Sequence, residues 1–460
     1  MARTEVGGMT GRTGDAGRGD GRREGRASRR AGRVEGSVAG DTLGGRTGRA
    51  KMAAAGGAAA IAAGGWAVQH RAVSRARAAL EEAGAALQLP KDAEHHSIET
   101  SDGGRIHVVE KGSGRPIVLL HGVTLAASIW GMQFAALSGD FRVVALDQRG
   151  HGLSVPGRDG FGWPHEVLAS PSGAGFDGKG EVGGNDSGPV GTPRSERPGS
   201  PATMRMAVDL DEVMGYLGIE GALLVGHSMG GMVALEYLTS IQARSAQGAD
   251  AHTAADQAAG AHVAAGRDGG EARAGSKADR DHQEGTAVGA ARERVSAVAL
   301  VSTTAGPLLR LPGPARLSMP LESVAGRVLD MASKSNRHLL PEGDVSYWSA
   351  RLAFGRSPDP AHVCMTEDLL RAMPPSWVGQ LTALLVKFYV ANRLERVTVP
   401  AAVVVGTSDI LTPIWHARRL AERIPDAELH TLPHCGHMSM FERPDRLEEI
   451  LRALAARAGA

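Results

Sequence analysis

The chain has 460 residues, 42% of them hydrophobic, which is enough for a large core and long enough for two or three domains. Sixty-three glycines and only 4% aromatics indicate that part of this length is not packed. A formal net charge of +1 argues against a general nucleic-acid binder, and two cysteines, Cys364 and Cys435, exclude a disulfide framework.

Residues 1–51 carry twelve Lys/Arg against six Asp/Glu and almost no apolar periodicity. Such a segment cannot bury enough apolar surface to offset its ordering entropy, so it reads as a disordered basic leader. Residues 52–69 form an uncharged run of 18, near the minimum for a membrane span. Ala and Gly dominate it, and only Ile61, Trp66 and Val68 are strongly apolar, so insertion into lipid would be weak. The expectation is a cytoplasmic protein, with weak membrane association through 52–69 as the alternative. An amphipathic helix follows over about 70–87 and ends before Pro90.

The folded domain spans 91–460. Asp102-Gly103-Gly104, between two strand-like segments, predicts a β-hairpin. Pro116–Leu120 and Arg142–Leu146 are continuous apolar runs of strands buried on both faces, with a helix near 129–137 between them. A helix over 204–217 leads to a strand at 221–225, and further strands follow at 295–301, 399–405 and 428–431. Helices near 414–424 and 446–456 complete the pattern. Strands alternating with helices imply a mostly parallel sheet with helices on both faces.

Two stretches interrupt this order, at about 156–201 and 243–291, and neither shows a period of 2 or 3.6. Both are longer than ordinary connections and read as low-order surface insertions. Residues 306–396 lose the strand pattern and read as short helices forming a cap, with Trp348, Leu352, Phe354, Trp377, Phe388 and Tyr389 among its apolar residues. Removing leader and insertions leaves roughly 270 residues, the size of one α/β domain with a cap.

The run Leu223-Leu224-Val225 stops at Gly226-His227-Ser228-Met229-Gly230 and passes into a helix-forming run, Met232 to Leu238. This is a G-x-S-x-G pattern on a strand-to-helix turn, where the neighbours of the serine must be small. A serine hydroxyl is a weak nucleophile and needs a base, which in turn needs an acid to fix its tautomer. Loops at the carboxyl ends of parallel strands converge on one edge, and three of them carry Ser228, Asp409 and His437 in that order. The N–H groups of Met229 and Val123 are the candidate oxyanion donors, Val123 following His121-Gly122 at the end of a strand. His227 reads as structural. Asp147 is the rival acid but precedes the serine. His434-Cys435-Gly436-His437 has too few further ligands at suitable spacing for zinc. No metal and no cofactor are called for.

These motifs resemble the α/β-hydrolase superfamily, in its esterase/lipase-like branch with a helical cap. His121-Gly122, Asp147-Gln148-Arg149-Gly150-His151-Gly152-Leu153-Ser154, the Gly-His-Ser-Met-Gly-Gly turn, Gly406-Thr407-Ser408-Asp409, and Gly436-His437 with Glu442 and Pro444 match in order. The resemblance implies the α/β-hydrolase fold and a cofactor-free serine hydrolase acting on a small-molecule ester or lipid-like substrate. Ser at 228 disfavours the epoxide-hydrolase and haloalkane-dehalogenase branches, which carry Asp there. The alternatives are an acyltransferase or haloperoxidase-type perhydrolase on the same triad, or a ligand-binding module without catalysis.

Overall fold

The computed structural model describes residues 69–83, 87–162, 200–243, 294–306 and 344–459. The basic leader, all but the end of the 52–69 run, the interiors of both insertions and the first part of the expected cap lie outside the described residues. Among the described residues no helix is long and apolar enough to cross a membrane.

The expected hairpin is present as β1 (Glu94–Glu99) and β2 (Arg105–Lys111), antiparallel in register. Gly103 turns the chain at φ +80°, the left-handed region that glycine enters without steric cost. Six more strands follow: β3 (Pro116–Leu120), β4 (Arg142–Leu146), β5 (Ala222–His227), β6 (Val295–Val301), β7 (Ala401–Gly406) and β8 (Ala427–Leu432). Their order across the sheet is β1-β2-β4-β3-β5-β6-β7-β8, parallel from β4 to β8. The register aligns the strand ends. Leu120 pairs with both Leu146 and Gly226, His227 with Val301, and Gly406 with Leu432. The strands therefore end level, and the loops after them open on one edge.

Helices cover both faces. They are α1 (69–83), α2 (Gly131–Leu137), α3 (Pro201–Tyr216), α4 (Met229–Glu236), α5 (Asp344–Arg351), α6 (Pro360–Ala372), α7 (Pro375–Val386), α8 (Ile414–Arg423), α9 (Ser439–Glu442) and α10 (Pro444–Arg457). Alternate strand residues serve opposite faces, as a period of two requires. Val118, Leu120, Leu224 and Leu300 pack with α3, α4 and α8, whereas Ile117, Leu119, Val225 and Val404 pack with α1, α2 and α10. Helix α10 shows why it docks: Leu447, Ile450, Leu451 and Leu454 recur on one face and are all buried. Each such side chain contributes about 1.5–3 kcal/mol relative to exposure.

Two helix starts differ from the sequence reading. Helix α3 begins at Pro201 rather than Met204, because the Ser200 hydroxyl accepts the Thr203 N–H at 3.2 Å and Pro201 occupies the first turn. That Ser-Pro pair looks like the tail of the Pro/Ser-rich insertion, which hides the cap. Helix α4 begins at Met229, directly after the serine, and continues as a π-helical turn over Tyr237–Gln242. Between β6 and β7 the described residues are helical, as expected. Phe354 and Phe388 are buried there, but Leu352 is 60% exposed and Trp348 and Tyr389 are each 41% exposed.

Candidate active site

Ser228 sits between β5 and α4 at φ 52° and ψ −114°, a strained conformation for any residue with a side chain. The turn is held from several sides. Its N–H donates to Val301 O at 2.9 Å, and its carbonyl accepts from Gly231 and Met232 N–H and from the Thr303 hydroxyl at 2.6 Å. A Cβ on Gly226 would lie 2.5 Å from the Gly230 carbonyl oxygen, and one on Gly230 would lie 2.4 Å from that of Leu120. Both obstacles are backbone and cannot yield, so the small residues flanking Ser228 are a steric requirement.

Asp409 and His437 are brought together by the loops after β7 and β8. His437 Nδ1 lies 2.9 Å from Asp409 Oδ2. A carboxylate only accepts, so Nδ1 carries the proton and Nε2 is left as the basic nitrogen. The other Asp409 oxygen takes the N–H groups of Leu411 and Thr412, each at 2.9 Å. Burial alone would raise the Asp409 carboxyl, but the charge of His437, its hydrogen bond and those from Thr412 hold it at about 2. It is therefore ionised at neutral pH. The Thr412 hydroxyl donates to Asp409 Oδ2 at 2.8 Å and lies 3.2 Å from His437 Nδ1. The sequence reading missed Thr412; its only signal is a hydroxyl three residues after an acid, which is a common turn pattern.

His227 has the structural place expected of it. Its Nε2–H donates to the His437 carbonyl at 3.0 Å, and the two rings lie 4.8 Å apart between centroids. Burial, with the charge of His437, pushes its pKa well below the usual range, so it stays neutral. His437 therefore stands beside the residue that precedes Ser228. The hydrogen bonds of the His437 ring are to Asp409 and Thr412; among the described residues none joins it to Ser228. Such a bond commonly tightens only with substrate bound.

The loop after β3 approaches the serine closely. A Cβ on Gly122 would lie 3.1 Å from Ser228 Cβ and 3.0 Å from His227 Nδ1. The N–H groups of Val123 and Met229 donate to no backbone carbonyl in the loops and turns of the described residues. Met229 also opens α4, where first-turn N–H groups have no helical partner. Thr124 is held at φ 61° with its N–H donating to His151 Nε2 at 3.2 Å. His151 Nδ1–H donates to Arg149 O at 3.0 Å, while His121 Nδ1–H donates to Gly122 O and its Nε2 accepts from Gln148 N–H at 2.9 Å. Burial, reinforced by His121, pushes His151 down to about 3, and burial likewise lowers His121. Both rings are neutral struts of this loop, roles invisible without knowing what stands opposite them.

Asp147 is not part of this pairing. It binds His107 Nδ1 at 2.8 Å and the N–H groups of Ala127 and Leu153, so it shapes the loops after β3 and β4. Arg149 is fully buried and forks onto Asp102 of the hairpin turn and Asp209 of α3. His434 is exposed, and the Cys435 thiol faces Gly436 O and Glu442, so the His434-Cys435-His437 trio does not converge. Among the described residues, one group of metal-binding side chains does converge: Glu94, His96 and Glu110, within 4.8 Å on the edge hairpin, where Arg142 already pairs with Glu110. A cleft of about 430 Å³ lined by Arg356, His362, His434, Phe441, Glu442 and Arg443 contains neither Ser228 nor His437.

An eight-stranded sheet with this order, and a strained serine on the turn after its central strand, define a class of fold. Residues 117–450 match the alpha/beta hydrolase family, and the chain belongs to that family. An uncharacterized protein of Mycobacterium tuberculosis is 24% identical over 352 residues, covering 74% of this chain and 75% of that protein. A non-heme chloroperoxidase of Kitasatospora aureofaciens is 41% identical over 63 residues, 14% of this chain and 23% of its own. Among solved structures, an esterase from Exiguobacterium antarcticum superposes with a TM-score of 0.51 at 18% identity, covering 79% of this chain and 100% of that one. The last likeness bears on the fold.

Proposed function

We propose that this protein is a serine hydrolase that cleaves carboxylic esters. The observation that carries the reading is the strained Ser228 turn standing beside a histidine whose Nδ1 is committed to an ionised Asp409. Ser228 Oγ attacks the ester carbonyl while His437 Nε2 takes its proton. The N–H groups of Val123 and Met229 receive the oxyanion; a donor of this kind contributes about 10²–10³ in rate. His437 then gives the proton to the leaving alcohol, and a water deprotonated by the same nitrogen attacks the acyl-serine and releases the acid. The imidazolium formed in each step is stabilised by Asp409. A small-molecule ester with an apolar acyl or alcohol portion suits the apolar side chains around the helical region between β6 and β7.

The test is labelling by a serine-directed fluorophosphonate together with turnover of a short-chain aryl ester. The native protein should label at Ser228, and Ser228→Ala should lose both labelling and at least about a thousand-fold in kcat. Full turnover by Ser228→Ala would overturn the reading. The local likeness to a non-heme chloroperoxidase favours one further reading, in which hydrogen peroxide replaces water on the same acyl-serine and releases a peracid. Product analysis with peroxide and alcohols as competing acceptors separates the two.

A further inference from the structure

Among the side chains that the proposed reaction does not use, Glu442 bonds directly to the loop carrying His437. It closes the short turn α9 and is partly buried. Its Oε1 accepts the N–H of Gly436, the residue before His437, at 2.8 Å. Its Oε2 accepts the N–H of Gly355 at 2.8 Å. Gly355 belongs to the connection between α5 and α6, and Ala353 of that connection takes the His437 N–H at 2.7 Å.

The two backbones touch. A Cβ on Gly436 would lie 2.4 Å from Gly355 N, and one on Gly355 would lie 2.3 Å from the His434 carbonyl oxygen. Both glycines are buried, and without the carboxylate their N–H groups would lose this acceptor. The peptide entering His437 is thus held at the Gly436 N–H by Glu442, at the His437 N–H by Ala353, and at the His437 carbonyl by His227. Among the described residues, Glu442 binds both segments of this contact at once.

We propose that Glu442 is a positioning residue for His437: by fastening Gly436 to Gly355, it sets where the imidazole stands relative to Asp409. Its kinetic consequence rests on the serine-hydrolase reading, whereas its geometric consequence does not. The alternative role is purely structural, in which Glu442 stabilises the fold without governing the His437–Asp409 bond.

The experiment compares the full-length wild type with Glu442→Gln. The amide keeps the shape, but its NH2 end faces a backbone N–H that it cannot accept. The proposal expects kcat to fall about 10- to 100-fold, the scale of a small misplacement of a reacting group, with KM within threefold of wild type. It also expects the low-field proton resonance of His437 Nδ1–H, assigned by its absence from His437→Gln, to broaden or move upfield. A lower Tm with unchanged kcat and an unchanged resonance overturns the proposal. Should Glu442→Gln fail to fold, Glu442→Asp keeps the charge but is too short to reach both amides, and an unchanged kcat and resonance there refute it equally. If the wild type hydrolyses no ester but the resonance still depends on Glu442, the hydrolase reading fails and the positioning role stands.

Discussion

Replacing Arg149 by methionine tests how the loop after β4 is anchored. The guanidinium is fully buried and makes four hydrogen bonds to carboxylates, at 2.8 and 2.9 Å to Asp102 and at 2.8 and 2.7 Å to Asp209, with a longer fifth at 3.4 Å to the Gly160 carbonyl. Methionine fills much of the volume but leaves both carboxylates without it. Asp209 keeps Arg205 at 3.0 Å, whereas Asp102 keeps only the Thr100 hydroxyl and two longer N–H contacts. The loss therefore concentrates on Asp102, and removing one partner of a buried ion pair costs about 3–5 kcal/mol. Against a total stability of about 5–15 kcal/mol, that brings the variant near its limit. Urea unfolding reads it directly. The double variant Arg149→Met/Asp102→Asn should recover part of the loss, because no unpaired charge then remains at that position.

The pH dependence has a definite sign. Burial alone would raise the Asp102 carboxyl, but the bonds from Arg149 and Thr100 hold it well below the usual carboxylate range. In the native protein its contribution is present above the ordinary aspartate pKa and fades only in strong acid. In Arg149→Met burial dominates and raises that pKa, so the variant regains stability relative to wild type as pH falls from 7 to 5. A loss below about 1 kcal/mol, or a double variant no more stable than the single one, would refute the reasoning.

Two further outcomes rest on strain and on buried imidazoles. Ser228 is at φ 52°, where glycine is unstrained, so Ser228→Gly should raise Tm by relieving about 1–3 kcal/mol while abolishing fluorophosphonate labelling; an unchanged or lower Tm argues against stored strain. His151 stays neutral in the fold down to about pH 3, whereas in the unfolded chain it takes a proton near its ordinary value of 6.5. Between these values the unfolded state binds more protons and stability falls with acid, by about 2 kcal/mol from pH 7 to pH 5 for this residue. His151→Gln should lose about that much less over the same interval in urea titrations; equal losses in the two proteins would exclude the assignment.

Some features were decided by local chemistry and so were legible along the chain. Five continuous apolar runs, each ending in a polar or glycine-rich turn and alternating with helical patterns, read as buried parallel strands, and all five pair in parallel. The serine turn was legible because its steric demand is met by immediate neighbours, Gly226 and Gly230. Helix starts were legible only where the cap stood apart from low-complexity sequence, which is why Ser200-Pro201 was missed.

What required the tertiary structure was every role set by a partner distant in the chain. Asp409 and Asp147 look alike in sequence, each an acid just past a strand; one faces His437 and the other His107. Their difference lies in which loops the sheet order makes adjacent, and strand order is not a local property. The same holds for His151 under Thr124, for Arg149 between Asp102 and Asp209, and for Glu442 between Gly355 and Gly436. Sequence alone determined that a strained serine turn must exist in this chain; the fold decided which acid, which histidines and which backbone amides surround it.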